Sequence, residues 1–124
     1  MGRLLLIGVD IGTSSTKGTL VGATGEVIAS HLVSHGVDRP HLAWAEQDAD
    51  QVWWGDFVTV VRTLMLQAPT GAKIVGIGVS GTCPTLVPVG HDGKPLRPGI
   101  LYSIDRRALE ELDPAARALA GLGV

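Results

Sequence analysis

The sequence predicts an α/β domain built on a mixed sheet. Three observations carry that expectation. Residues 4–9, LLLIGV, form a wholly apolar run of strand length, and two further strand-like runs follow it across short polar connections. Residues 52–68 then space their apolar side chains at the helical period. A further apolar run, residues 74–79, comes after them. The order β-β-β-α-β argues for helix packed on a mixed sheet.

Each element has its own signal. An uninterrupted apolar run at 4–9 reads as a strand covered on both faces, although periodicity alone does not separate it from a short helix. Residues 17–21 read as a second strand and residues 27–34 as a third. Ala23, Thr24, Gly25 and Glu26 supply the turn between them, with Gly25 able to take positive φ. The three strands form an antiparallel meander. Residues 36–47, with Gly36 and Pro40, read as a loop. Asp48 and Gln51 have the spacing of a capping box. Trp53, Phe57, Val60, Val61, Leu64 and Met65 then form one helical face, which Pro69 and Gly71 end. Residues 85–89 read as a strand end or edge because Pro88 cannot donate to a ladder. Residues 91–94 read as a turn and 100–103 as a short strand. Residues 106–112 and 114–119 read as helical.

Composition excludes several classes of function. The chain has 124 residues, 45% of them hydrophobic and 18% charged, which suits one globular domain. Its net charge of −2 provides neither a basic field for nucleic acid nor a polybasic patch for a membrane. No apolar run approaches the roughly 20 residues of a membrane span. A single cysteine, Cys83, excludes an internal disulfide and fits a reducing compartment. Asp10 ends the first apolar run too early for a secretion signal. The expectation is a cytoplasmic protein.

The stretch GVDIGTSSTKG, residues 8–18, raises the question of function. It matches neither G-x-x-x-x-G-K-[ST] nor G-x-G-x-x-G, and a strand rather than a helix follows it. Gly12 permits close approach of a phosphate. Thr13, Ser14 and Ser15 offer hydroxyls and successive N–H groups, and Lys17 adds a point charge. Asp10 would repel a bare phosphate but suits Mg²⁺, which is held through one or two carboxylates, water and phosphates. The bland alternative is a polar hairpin that satisfies its own backbone. The residues alone leave both open. An aspartate at the end of a strand apolar on both faces is expected to be partly buried and to need a partner.

Four stretches in order resemble the FGGY carbohydrate kinases, within the actin-like, ribonuclease H-like ATPase superfamily. GVDIGTSSTKGTLV resembles the first phosphate loop of that family. LAWAEQDADQVWW, residues 42–54, resembles its G-W-x-E-Q-(D)-P-x-x-W-W segment. IVGIGVSG, residues 74–81, resembles its I-x-x-I-G-x-S-G strand. DGKPLRPGILYSIDRR, residues 92–107, resembles its D-G-x-P-L-R-P-x-I-L-W-x-D-x-R stretch.

The resemblance implies a ribonuclease H-like fold and transfer of phosphate from ATP, with Mg²⁺, to a hydroxyl of a sugar or polyol, most naturally a pentulose or hexulose. It implies that Asp10 organises Mg²⁺ and the transferred phosphate, and that Gly12, Thr13, Ser14, Ser15 and Lys17 line the phosphate path. It places Thr82 and Cys83, in the loop after Gly81, and Asp105 beside the sugar. Where the family commonly reads S-G-Q-M-H-G, this chain has Ser80, Gly81, Thr82, Cys83, Pro84 and Thr85. Tyr102 replaces the usual Trp, and Ile104 is inserted before Asp105. The identity of the sugar therefore does not carry over. The family's general-base aspartate and adenosine pocket have no counterpart in the 124 residues. The expectation is that residues 1–124 are the N-terminal portion of a two-domain kinase, inactive alone, with no catalytic base of its own. A homodimer is compatible with it. The competing expectation is a non-catalytic sugar-sensing or regulatory protein that keeps the fold.

Other residues have ordinary explanations. Trp53 reads as helix core, Trp54 as interfacial, and Asp48 as a cap rather than a partner of Glu46 in a carboxylate pair. His31, His35, His41 and His91 form no metal pattern. Glu110, Glu111 and Asp113 read as a surface face.

Overall fold

A computed structural model describes residues 2–109 together with 111, 114 and 118. Strands β1 (Leu4–Ile11), β2 (Ser15–Gly22) and β3 (Val27–Ser34) form the expected antiparallel meander. Gly25 turns between β2 and β3 at φ +90°. Strand β4 (Glu46–Gln47) follows, then a π-helical segment (Ala49–Trp54) that runs into helix α1 (Gly55–Leu66). Strand β5 (Lys73–Gly81) returns parallel to β1, which gives a four-stranded mixed sheet of order β3-β2-β1-β5. Strands β6 (Thr85–Leu86) and β7 (Gly99–Leu101) join β4 in a small antiparallel sheet of order β4-β7-β6.

Helix α1 lies on one face of the main sheet. Leu5, Ile7 and Val9 of β1 and Leu20 of β2 pack there against Val60, Val61 and Leu64. Each such side chain contributes on the order of 2 kcal/mol when fully removed from water. Gly18 sets how close the helix comes: a Cβ at that position would stand 2.1 Å from Val60 Cγ1 and 2.9 Å from Leu64 Cδ1.

The structure corrects several expectations. β1 is covered on one face only, since its side chains alternate and Leu4 and Leu6 are exposed. The apolar run reflects a sheet with apolar residues on both faces, of which this chain covers one. The helix does not run regularly from residue 52. Asp48 caps the segment, its Oδ1 accepting from the N–H groups of Asp50 (2.9 Å) and Gln51 (2.8 Å), but the first turn is wide. Trp53 leaves the main core: its Nε1 donates to Gln47 Oε1 at 2.9 Å, and its ring lies against Gly99 of the small sheet. Met65 is exposed. The 85–89 strand shortens to Thr85–Leu86, with a single bridge from Val89 to Pro95. Most of the helical expectation for residues 106–119 falls outside the described residues. Among the described residues no helix is long and apolar enough to cross a membrane.

Candidate active site

Parallel pairing of β1 and β5 brings the carboxyl ends of both strands together, which is where open α/β sheets bind ligands. Asp10 stands opposite Ser80 on β5 and opposite Lys17 on β2. Ser80 Oγ donates to Asp10 Oδ1 at 2.7 Å. Asp10 and Lys17 share an open recess of about 390 Å³ with Gly8, Thr19, Gly78 and Ser80. Asp10 is exposed there rather than partly buried as expected, because it points from the uncovered face of the sheet. The argument from an unpaired buried charge therefore does not apply to it.

The β1–β2 connection is a tight turn closed by Gly12 N–H donating to Ser15 O at 2.9 Å. A Cβ on Gly12 would meet that carbonyl at 3.1 Å. Thr13 and Ser14 are exposed, and among the described residues their N–H groups donate to no protein acceptor. Their carbonyls, by contrast, are engaged. Gln47 Nε2 donates to Thr13 O at 2.8 Å, and His35 N–H donates to Ser14 O at 3.0 Å.

The loop after β5 leaves from the same sheet end. Thr82 is tied to β1, its N–H and Oγ1 both donating to Ile11 O, at 2.8 and 3.0 Å. Thr82 also lines a small cleft of about 170 Å³ with Ile11, Trp53, Gly81, Thr85 and Val87. Cys83 is exposed.

Asp105 belongs to a different cluster. Its side chain is only 4% exposed. Oδ1 accepts from Arg107 N–H (3.0 Å) and Nε (2.9 Å), and Oδ2 accepts from Arg107 Nη2 (2.7 Å) and Ala45 N–H (2.7 Å). The Arg107 guanidinium holds the Asp105 carboxyl well below the usual carboxylate range, and Asp105 in turn raises Arg107. Arg107 also reaches Glu46 at 2.8 Å and lies over the Trp44 ring, 3.9 Å from its centroid. Arg97 forms a second ion pair with Glu46. Four protein donors thus occupy the carboxylate expected to meet a sugar hydroxyl. This cluster pins residues 44–46 to Arg97 and to residues 105–107, and Gln47, next in the chain, donates to Thr13 O in the 12–14 turn.

The structure therefore brings together Asp10, Gly12, Thr13, Ser14, Ser15, Lys17 and Thr82, and sets Asp105 apart. Ser80, Gln47 and His35, the last with its Nδ1 2.7 Å from Asp56 Oδ2, emerge as residues around the turn that sequence reasoning did not assign. Ser80 lies within a quoted motif, but only the β1–β5 register shows that it meets Asp10.

A four-stranded mixed sheet with α1 on one face, and a polar turn at the carboxyl end of β1, is the arrangement that the ribonuclease H-like expectation called for. Residues 5–120 match the model of the FGGY family of carbohydrate kinases, N-terminal domain, and the chain belongs to that family. It is 34% identical over 122 residues to a xylulose kinase of Klebsiella pneumoniae, an alignment spanning 94% of this chain and 25% of that protein. It is 32% identical over 109 residues to a glycerol kinase of Geobacter, spanning 85% and 21%. The crystal structure of xylulose kinase from Rhodospirillum rubrum superposes with a TM-score of 0.80 at 34% identity, covering 91% of this chain and 23% of that one. The chain spans about a quarter of the length of the curated relatives it matches.

Proposed function

We propose that this chain carries the phosphate- and Mg²⁺-handling side of an ATP-dependent carbohydrate kinase that phosphorylates a hydroxyl of a sugar or polyol. Residues 1–124 are, in this reading, the first part of a two-domain protein. A second domain supplies the adenosine pocket and the aspartate that takes the proton from the sugar hydroxyl. The observation that carries the proposal is the juxtaposition of Asp10, Ser80 and Lys17 beside a turn whose Thr13 and Ser14 N–H groups lack acceptors among the described residues.

Asp10 fits Mg²⁺ held largely by water and phosphate: it is a single exposed carboxylate in an open recess, oriented by Ser80. Among the described residues no three His, Cys, Asp or Glu side chains cluster as an all-protein metal cage would require. ATP brings the transferable phosphoryl group, and Mg²⁺ neutralises the charge that develops on it. Lys17 holds a fixed positive charge over the recess. The hydroxyls of Thr13, Ser14 and Ser15 and the free N–H groups of the turn donate to phosphate oxygens. Thr82 and Cys83 face the sugar from the loop after β5. Asp105 supports the site through Glu46 and Gln47 rather than by touching substrate. The kinase reading places the reaction in the ATP-containing cytosol.

The test is turnover of the intact protein with ATP against a panel of pentuloses, hexuloses and polyols, before and after Asp10→Ala. At least one sugar is expected to be phosphorylated. The variant is expected to keep its circular dichroism spectrum and to lose roughly a hundredfold or more in kcat. Undiminished turnover in Asp10→Ala removes Asp10 from the mechanism. No turnover of any sugar by the parent protein, with sugar binding retained, favours the sensing role.

A further inference from the structure

The 12–14 turn can present N–H groups to a phosphate only if its carbonyls face elsewhere. In a trans peptide the C=O of one residue and the N–H of the next point in opposite directions. Three successive carbonyls here have donors on the protein side. Gly12 O accepts from His35 Nε2 at 2.9 Å, Thr13 O from Gln47 Nε2 at 2.8 Å, and Ser14 O from His35 N–H at 3.0 Å. The N–H groups of Thr13, Ser14 and Ser15 are thereby turned the other way. Those of Thr13 and Ser14 have no protein acceptor among the described residues.

His35 is central to this arrangement. Its side chain is only 6% exposed, although it follows directly on β3. Nε2 faces a carbonyl oxygen, which can only accept, so Nε2 carries a proton. Nδ1 lies 2.7 Å from Asp56 Oδ2, within hydrogen-bond distance. Asp56 Oδ2 also accepts from Thr16 Oγ1 at 3.3 Å. The ring thus links the first turn of α1 to the turn between β1 and β2. Gln47 is equally committed: Nε2 also donates to Gly36 O at 2.7 Å, and Oε1 accepts from Trp53.

We propose that His35 is a positioning residue for nucleotide phosphate, bridging the Gly12 carbonyl to Asp56 so that, with Gln47, it holds the turn's carbonyls inward and its N–H groups outward. The proposal rests on the reading of this turn as a phosphate site. Asp56 orients the ring, and Gln47 completes the clasp.

Two substitutions separate this role from simple bracing of α1. His35→Gln can place an amide N–H where Nε2 stood and keep the bond to Gly12 O. His35→Asn can keep a partner for Asp56 and lose the reach to Gly12. The measurements are titration calorimetry of Mg-ADP with the intact protein and steady-state KM for ATP and for the sugar. Loss of the Gly12 bond is expected to weaken Mg-ADP binding and raise the KM for ATP by roughly tenfold in His35→Asn. His35→Gln is expected to stay within about threefold of the parent protein, and the KM for the sugar to change little in either. Equal Mg-ADP affinity in the parent and both variants overturns the proposal while leaving the phosphate site standing. The reverse order, with His35→Asn tight and His35→Gln weak, also overturns it and assigns His35 to docking α1. Failure of the parent protein to bind Mg-ADP overturns the phosphate site and the proposal together.

Discussion

The Asp105 carboxylate is filled by four donors from Arg107 and Ala45, and this gives it a measurable signature. Arg107 holds it below the usual carboxylate range in the folded chain, so its ionised form favours folding. That contribution is complete above about pH 4 and is lost as pH falls through the lower folded-state value. Asp105→Asn is therefore expected to destabilise the fold by about 2 kcal/mol at neutral pH, because it weakens a charged hydrogen-bond set around Arg107. Urea unfolding of the parent and variant, repeated at decreasing pH, checks this: the gap should start to narrow below about pH 4 and keep shrinking as pH falls toward the lower folded-state value, and a constant gap excludes the pairing as its cause. The turn proposed to bind phosphate was legible as a polar cluster at this scale because Asp10, Gly12, Thr13, Ser14, Ser15 and Lys17 lie within a few residues of one another. Ser80 meeting Asp10 across 70 residues, and His35 meeting Gly12 across 23, leave no local trace. Asp105 shows the opposite case: in the folded chain the carboxylate at this motif position accepts four protein N–H groups, which the motif does not reveal.

Among the elements, the contact of α1 with β2 is set by the missing side chain at Gly18. Val60 has a stiff, β-branched side chain in a helix and cannot turn aside from a methyl group placed 2.1 Å away. Gly18→Ala is expected to lift the helix from the sheet and cost about 2 kcal/mol, an overpacking penalty. A lower denaturation midpoint with an unchanged m-value is the expected observation, and an unchanged midpoint excludes the contact. The three-strand meander was readable because each run ends in short polar connections; the register shift between Leu20 and Val21 in the β2–β3 pairing was not. The parallel pairing of β5 with β1 was not, since strand direction and neighbour depend on where α1 crosses. Nor was the wide turn of residues 49–54. Trp53 has helical spacing, but its indole N–H is drawn to Gln47 and its ring to the small sheet.

For the molecule as a whole, the main sheet has two apolar faces and α1 covers part of one. Beyond the helix, Val79 is 59% exposed and Trp54 61%. On the other face Leu4, Leu6 and Leu32 are exposed. Apolar surface so distributed over both faces drives association in water. The 124-residue chain expressed by itself is expected to self-associate at micromolar concentration, seen as a concentration-dependent mass in light scattering. Replacing Leu4, Leu6 and Val79 by Thr should shift it toward monomer, and a monodisperse parent chain contradicts this account.

The sequence by itself determined the α/β class, the meander, the Val60, Val61 and Leu64 part of the α1 face and the polar turn that starts at Asp10, because each rests on periodicity or on neighbours along the chain. Its four ordered motifs also determined the family. Only the tertiary structure decided which residues support that turn. The β1–β5 register placed Ser80 on Asp10, His35 and Gln47 claimed the turn's carbonyls, and Arg107 claimed Asp105. Those contacts join residues remote in sequence, and their hydrogen bonds depend on distances that exist only once α1 and the two sheets have packed.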